Sequence, residues 1–268
     1  MKKILAILIL ISAACNAGEP APKRIVSLAP SITRSIYQLE AGASLAGVTI
    51  YCPAQAKDKE KIGTLLEPNI EKIVALRPDL VIATKEGNRP ETVRRLNELG
   101  IPVYTMESFD NFEAICNGFI ALGKRIGRQE QANAIVEQSR RRVEQVRKKS
   151  KAHRRSRVFW QVGAQPLFTV SHHSFVNDFI ELAGGINIFA DLKSRYPQVS
   201  REAVLHADPD VIILVAMGDV TENEAQKWKN FKPGRTGKIV TLNNTVFTDP
   251  APASFAEGLE IISRILHE

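Results

Sequence analysis

Residues 71–82 read EKIVALRPDLVI, and residues 202–213 read EAVLHADPDVII. The offset between the two segments is 131 throughout, and the glutamate, the proline, the aspartate after the proline and the apolar positions fall in register. A chain built from two similar halves usually forms two lobes, and the cleft between lobes is a common place for a small ligand. The repeat therefore predicts a two-lobed protein with its binding site in the gap.

Short apolar strands alternate with helices on both sides of this repeat, which is typical of a parallel sheet covered by helices on both faces. In the first half we predict strands at 24–28, 45–49, 80–83 and 102–105, and helices at 32–39, 69–76, 91–99 and 111–126. In the second half we predict strands at 157–162, 211–215 and 238–242, and helices at 174–182, 201–206, 222–230 and 255–266. Ser31 and Ser200 are the predicted N-caps of two of these helices. The fold class is α/β.

Residues 128–149 contain neither glycine nor proline, and their apolar positions keep helical spacing. A helix of this length extends for about 33 Å, at about 1.5 Å per residue. It can therefore join two lobes as a stiff rod. We predict two Rossmann-like α/β lobes, residues 20–127 and 151–268, joined by one long rigid helix at residues 128–150.

The N-terminus has the features of a secretory signal over residues 1–17. Lys2 and Lys3 precede an apolar run at 4–11, and small residues follow. Two cleavage sites are open: one after Ala14, which would make Cys15 a lipidated N-terminus, and one near Ala17. No later apolar stretch approaches the ~18 residues of a membrane span. We therefore expect a periplasmic protein, or one held on the outer face of the cytoplasmic membrane.

The formal net charge is +7, and basic residues cluster between positions 140 and 157. Such a cluster can bind nucleic acid. In an exported protein we interpret it as a solvated helix face and expect no nucleic-acid partner. Cys52 and Cys116 could form one disulfide or stay as thiols. There is no CxxC or HExxH motif, so we expect neither a metal site nor a cofactor.

Motifs of catalysis are absent from the sequence: there is no GxSxG, P-loop, GxGxxG or paired-carboxylate motif. His172 and His173 could provide the base of an exported α/β hydrolase, which is the alternative from another class of protein. Neither histidine has a partner residue at a defined spacing. We therefore expect a binding protein that is not an enzyme.

Candidate ligand contacts follow the predicted strand ends, because ligands of open α/β sheets lie beyond the carboxyl ends of the strands. We expect Tyr51 and Phe168 to stack on a planar ligand from opposite sides, with Tyr196 closing the edge. The complete set of predicted ligand-binding residues is Tyr51, Cys52, Thr84, Phe168, Tyr196 and Asp249.

Four segments carry a resemblance to a known family: RIVSLAPS at 24–31, GVTIYCP at 47–53, PNIEKIVALRPDLVIAT at 68–84 and YPQVSREAVLHADPDVII at 196–213. Together they resemble the substrate-binding proteins of ABC importers for cobalamin and iron complexes, over most of residues 24–266. The resemblance implies a class III periplasmic binding protein fold. It also implies a monomer that captures a metal chelate, performs no chemistry and delivers its cargo to a membrane permease dimer with a cytoplasmic ATPase.

The resemblance also assigns roles to single residues. Glu71 and Glu202 match the surface carboxylates that dock this family onto permease arginines. Tyr51, Phe168 and Tyr196 match aromatic positions of the cobalamin-binding members.

The chain departs from those members at Leu65 and Thr84, where they carry tryptophan, and at Ala253, where they carry arginine. The expected ligand is a corrinoid (cobalamin). The alternative is a ferric siderophore or haem.

Overall fold

The computed structural model describes residues 20–215, 222–229, 238–242, 245–248 and 250–268. The predicted signal sequence, Cys15 and Asp249 lie outside these residues. Within the described ranges, no helix combines the length and the apolar character that a membrane crossing needs.

The first half of the chain forms a five-stranded parallel sheet with the order β3-β2-β1-β4-β5. Its strands are β1 (Ile25–Ser27), β2 (Leu45–Val48), β3 (Glu60–Lys61), β4 (Leu80–Thr84) and β5 (Val103–Met106). Its helices are α1 (Pro30–Gln38), α2 (Ile70–Ala75), α3 (Pro90–Glu98) and α4 (Phe112–Arg125). The strand order reverses between β1 and β4. This reversal opens a crevice at the carboxyl ends of these two strands.

The second half repeats this arrangement with a four-stranded parallel sheet of order β11-β10-β6-β9, to which the antiparallel hairpin β7–β8 is added. Its strands are β6 (Arg157–Gln161), β7 (Gly163–Ala164), β8 (Leu167–Phe168), β9 (Ile186–Asn187), β10 (Val211–Val215) and β11 (Ile239–Leu242). The hairpin follows directly after β6, which lies between β9 and β10 at the point where this sheet reverses its order.

A single long helix, α5 (Gln129–Ser150), connects the two sheets, as the sequence predicts. Ala132, Val136, Val143 and Val146 form its buried face. The other helices of the second half are α6 (Val176–Leu182), α7 (Arg201–His206), α8 (Glu222–Trp228) and α9 (Pro252–His267). Helix α5 packs against α4 and α9, so helices from both halves hold the rod in place.

An aromatic core continues from one half of the chain into the other. The ring of Phe112 stacks on Phe255 with centroids 4.7 Å apart, and Phe255 stacks on Phe179 at 4.3 Å. The backbone N–H of Phe112 donates to the Asp178 carboxylate at 2.8 Å. Burial raises the pKa of Asp178, and this hydrogen bond opposes the rise. These contacts tie the two halves together and restrict movement between them.

The predicted N-caps have different outcomes. The hydroxyl of Ser200 accepts a hydrogen bond from the backbone N–H of Ala203 at 3.1 Å, so the predicted cap of α7 is confirmed. The prediction for Ser31 is wrong, because Ala29 occupies the N-cap position of α1. Pro30 opens that helix, since its fixed φ and missing N–H suit the first helical position.

Candidate functional site

Two adjacent cavities lie between the sheets, with volumes of about 390 and about 470 Å³. Glu86, Thr248 and Pro250 line both of them. The two cavities therefore form one cleft, to which both halves of the chain contribute residues.

The cavity on the side of the second sheet is mainly apolar. It is built at the carboxyl end of β6 and β10, on hairpin β7–β8 and at the start of α6. Trp160 forms part of its wall, and its ring lies 6.0 Å from Phe179 and 5.9 Å from Phe247, centroid to centroid. The apolar lining consists of Trp160, Val162, Phe168, Phe175, Val176, Val215 and Phe247. Such a surface suits a large ligand with an apolar, flat face.

The cavity on the side of the first sheet is more polar and lies at the ends of β1, β4 and β5. Its polar lining consists of Ser31, Arg34, Ser35, Thr84, Glu86, Glu107, Thr245 and Thr248. Side chains of this kind can meet amide, hydroxyl or phosphate groups on the periphery of a ligand. The cleft as a whole therefore offers one apolar side and one polar side.

Asn88 holds the loop after β4 in place. Its Oδ1 accepts a hydrogen bond from the backbone N–H of Thr84 at 2.8 Å. Its Nδ2 donates to the carbonyls of Leu28, at 3.2 Å, and Leu65, at 2.8 Å. One buried amide thus joins the end of β4 to two loops around the polar cavity. The Thr84 hydroxyl accepts a hydrogen bond from the backbone N–H of Gly87 at 3.1 Å.

Arg195 bridges the two halves at the cleft. Its guanidinium bonds the carboxylates of Glu86 and Asp110, and its Nη1 lies 3.4 Å from the carbonyl oxygen of Phe109. The neighbouring Tyr196 lines the apolar cavity. Burial, and then the nearby Glu86 carboxylate, raise the pKa of the Tyr196 phenol. The phenol therefore faces the cleft in its neutral form at physiological pH.

The predicted ligand residues do not all meet at this cleft. Phe168 and Tyr196 line the apolar cavity and Thr84 lines the polar one. Tyr51 is 70% exposed on the turn after β2 and is not part of the lining of either cavity. Cys52 is half-buried, with its Sγ 3.1 Å from the hydroxyl of Thr33.

Asp249 is outside the described residues. The predicted set of ligand residues omits Trp160, Glu86, Asn88 and Arg195. Glu86 and Asn88 follow a predicted strand end, whereas no local pattern marks Arg195.

The two interior cysteines are free thiols that do not pair with each other. Cys116 is completely buried in α4, and burial raises its pKa to about 12. The sequence leaves open a disulfide or two thiols, and in the structure both cysteines are thiols.

The two adjacent histidines lie on the surface, away from the cavity linings. Nδ1 of His172 is 2.6 Å from the carbonyl oxygen of Ala190, and the rings of His172 and His173 lie 4.0 Å apart. The hydroxyl of Ser171 accepts from the backbone N–H of His173 and not from its ring. Over the described ranges, no group of three or more His, Cys, Asp or Glu side chains is arranged to hold a metal ion.

The repeated segment forms the same structure in each lobe. Asn69 caps α2 by accepting from the backbone N–H of Lys72 at 2.9 Å, and Ser200 caps α7 in the same way. Each helix is six residues long, and the second residue after it has a positive φ, 46° at Arg77 and 39° at Asp208.

The C-terminal ends of these helices are fastened alike. Arg24 donates to the carbonyl of Leu76 from Nε at 2.9 Å and from Nη2 at 2.6 Å. Arg157 donates to the carbonyl of Ala207 from the same two atoms, at 3.1 and 2.7 Å. The sequence repeat is therefore also a repeat of hydrogen bonds.

Glu71 and Glu202 occupy equivalent, exposed positions in the first turns of α2 and α7. Hydrogen bonds from its own backbone N–H and from the Ser200 hydroxyl lower the pKa of Glu202. Glu202 thus stays ionised at lower pH than an ordinary glutamate.

The two parallel sheets meet at a shared cleft, and each contributes the loops at the point where its strand order reverses. This arrangement defines a two-lobed ligand-binding protein. The chain belongs to the periplasmic binding protein family, whose sequence profile matches residues 25–245.

Individual relatives agree with this assignment. The chain is 33% identical over 249 residues to the vitamin B12-binding protein of Yersinia pseudotuberculosis serotype O:1b (strain IP 31758), covering 92% of this chain and 87% of that protein. Its structure is similar to the periplasmic vitamin B12 binding protein of Vibrio cholerae, with a TM-score of 0.77, 29% identity and coverage of 92% and 97%. A periplasmic haem-binding protein from Roseiflexus shares the fold, with a TM-score of 0.80, 22% identity and coverage of 91% and 98%.

Proposed function

We propose that this protein captures a corrinoid, cobalamin, between its lobes and delivers it to the permease of an ABC importer. The observation that carries the proposal is a cleft with an apolar, aromatic side and a polar side. A corrinoid has a broad flat ring with amide groups at its edge, so it matches both sides. The 33% identity to a vitamin B12-binding protein supports the same ligand. Delivery involves no chemical step.

Phe168 and Tyr196 are the proposed ring contacts, with Trp160 behind them, and Thr84 is the proposed polar contact. Tyr51 and Cys52 are proposed as further contacts at the rim, and Asp249 is proposed as a ligand contact. A ligand that reaches Tyr51 has to extend beyond the two cavities, since that side chain is exposed on the turn after β2. Phe168 and Tyr51 would then touch different parts of the ligand.

The alternative cargo is a ferric siderophore or haem. This alternative stands because the chain has Leu65 and Thr84 at positions where the cobalamin-binding members carry tryptophan. Haem binding through tyrosine requires a phenol that loses its proton and coordinates the iron as a phenolate. The raised pKa of Tyr196 disfavours that form of this side chain. We rank cobalamin first, because the relative at 33% identity is a vitamin B12-binding protein.

Thermal unfolding in the presence of cyanocobalamin, haemin or a ferric catecholate siderophore tests this order. A ligand at about 100 times its Kd adds roughly 2.7 kcal/mol to the free energy of unfolding. We expect cobalamin to raise the unfolding temperature. A shift with haemin or the ferric siderophore, and none with cobalamin, would reverse the order. The visible spectrum of the purified protein would identify a ligand that is carried through purification.

Delivery is proposed to use Glu71 and Glu202, one on each lobe, against arginines of a two-fold permease dimer that works with a cytoplasmic ATPase. The protein would act as a monomer, since its own two lobes present the two equivalent contacts. Interface charges chiefly set encounter rate and orientation. The double variant E71K/E202K should bind cobalamin normally and lose binding to the permease. Normal permease binding by this variant would contradict the docking role.

Export and anchoring are proposed from the sequence. Residues 1–17 would be the signal peptide, and Cys15 would carry a lipid if cleavage follows Ala14. Metabolic labelling with palmitate compares the wild type with the Cys15→Ser variant. Label in the wild type alone supports the lipid anchor. Absence of label from both proteins supports cleavage near Ala17. The proposed lobes are residues 20–127 and 151–268, with 128–150 as the connection.

A further inference from the structure

Helices α2 and α7 each expose an aliphatic side chain three residues after the glutamate. Val74 is 42% exposed and Leu205 is 38% exposed, and the two positions are again 131 residues apart. Residues three apart lie on the same face of a helix. Glu71 with Val74, and Glu202 with Leu205, therefore form two matching patches, which we call the docking pairs.

The exposed aliphatic side chains are not needed to hold these helices on the lobes. Each helix has another aliphatic residue, Ile73 in α2 and Val204 in α7, that is completely buried. Single exposed aliphatic residues are common and need no explanation. In this protein, however, exposure recurs at equivalent positions of two helices. Each of these helices has a polar side chain as its N-cap, and each has an arginine bonded to the carbonyl just after its C-terminal end.

The charges around the docking pairs favour a basic partner. Lys72, next to Glu71, is held by Glu60 at 2.9 Å, and Arg201, next to Glu202, is held by Glu224 at 3.1 Å. The nearest cations on each helix are thus engaged with other carboxylates. Each docking pair presents an acidic group beside an apolar one, and the duplication matches a partner with two equivalent sites.

We propose that Val74 and Leu205 are the apolar anchors of the permease interface, each seated in an apolar socket beside the arginine that meets Glu71 or Glu202. This inference rests on the proposed function. The two parts of each docking pair act on different rate constants. Charges mainly raise the association rate, whereas burial of apolar area at the interface mainly lowers the dissociation rate.

Surface plasmon resonance with the permease–ATPase complex in nanodiscs measures both rates. We expect Val74→Ser and Leu205→Ser each to raise the dissociation rate about 3- to 10-fold, from the loss of buried apolar area, with the association rate unchanged. E71Q/E202Q should instead lower the association rate and weaken its dependence on salt. Leu99→Ser is the matched control, because Leu99 is 48% exposed at the end of α3 and outside the docking pairs. It should change neither rate.

The possible failures are distinguishable. If V74S/L205S leaves the dissociation rate unchanged while E71Q/E202Q slows association, the apolar anchors are wrong and the acidic docking role stands. If neither double variant changes the kinetics, α2 and α7 do not form the interface. If the wild-type protein loaded with cobalamin does not bind the complex, the proposed partner itself is wrong. Circular dichroism and cobalamin titration of each variant establish that folding and ligand binding are intact.

Discussion

Arg195 of the second lobe forms an ion pair with Glu86 of the first lobe at the edge of the cleft. The same guanidinium also holds Asp110, so one side chain of the second lobe is tied to two loops of the first. Glu86 lines both cavities and Tyr196, the neighbour of Arg195, lines one of them. The aromatic core at Phe112 and Phe255 joins the halves elsewhere. The Arg195 pair therefore links the two lobes at the edge of the cleft.

We expect Arg195→Gln to speed both entry and release of cobalamin, because it removes the charged link between the lobes. Arg195 is partly buried, at 24% exposure, and Glu86 is more open. The loss of stability should therefore be modest, about 1 kcal/mol. Stopped-flow measurements of cobalamin binding and release check the rates. Arg94→Gln removes an exposed pair with Glu98 within α3 and is the control. Equal rates for wild type and Arg195→Gln would show that this pair does not limit opening.

Phe168→Ala should weaken cobalamin binding about 10-fold, because the ring forms part of the apolar wall. Aromatic contacts contribute binding free energy beyond that expected from the buried area. Phe168→Leu keeps apolar bulk and should lose less. Tyr51→Ala should have a smaller effect than Phe168→Ala, since a strongly exposed ring can bury only one face. Isothermal titration calorimetry compares the three variants. An unchanged Kd for Phe168→Ala would move the ligand away from the apolar cavity.

The backbone N–H of Glu202 and then the Ser200 hydroxyl lower the pKa of the Glu202 carboxyl. Ser200→Ala should therefore raise this pKa part of the way towards its ordinary value, because it removes the second of these hydrogen bonds. In the native protein the folded-state pKa is below the unfolded one. The carboxylate's contribution to stability is therefore complete above the unfolded pKa and is lost as the pH falls through the folded pKa. NMR titration of the Glu202 carboxyl carbon measures the change. Ser200→Thr keeps the hydroxyl and should keep the low pKa; the same value in Ser200→Ala would contradict the assigned cause.

Cys116 should resist alkylation in the native protein, because a buried thiol with a pKa of about 12 has almost no thiolate at pH 8. The Cys52→Ser variant isolates this thiol for labelling with iodoacetamide and mass spectrometry. Denaturation in guanidinium should make it reactive. In the wild type, both cysteines should react in denaturant without a reductant. If they react only after a reductant is added, the two form a disulfide and the assignment as free thiols is wrong.

The helices and longer strands could be predicted closely because their signals are local. The connecting helix is predicted at 128–149 and observed at Gln129–Ser150, since no glycine or proline interrupts it. Strand β10 has the predicted limits, Val211–Val215. Strands β3, β7, β8 and β9 have two residues each, and the sequence does not predict them. Strands this short are defined by pairing with a neighbour, which no local pattern records.

The candidate site could be predicted only in part. Thr84 is the last residue of β4, and Phe168 ends the hairpin that follows β6. The order of each sheet reverses at β4 and β6, and both residues reach the cleft. Tyr51 follows β2, which lies on the far side of β1 from that reversal, and it is exposed outside the cavities. Every strand end is an equal candidate in the sequence, whereas the order of strands in the sheet decides which ends adjoin the crevice.

The amino-acid sequence by itself determined the duplication, the α/β alternation, the connecting helix and the two exposed glutamates, because each follows from spacing within a few helical turns or from a direct repeat. Only the tertiary structure decided which side chains share the cleft. Arg195 meets Glu86 across 109 positions of chain, and Asn88 joins the loops that contain Leu28 and Leu65. Such contacts depend on the packing of one lobe against the other and on strand order, which are set by the whole chain and not by any local pattern.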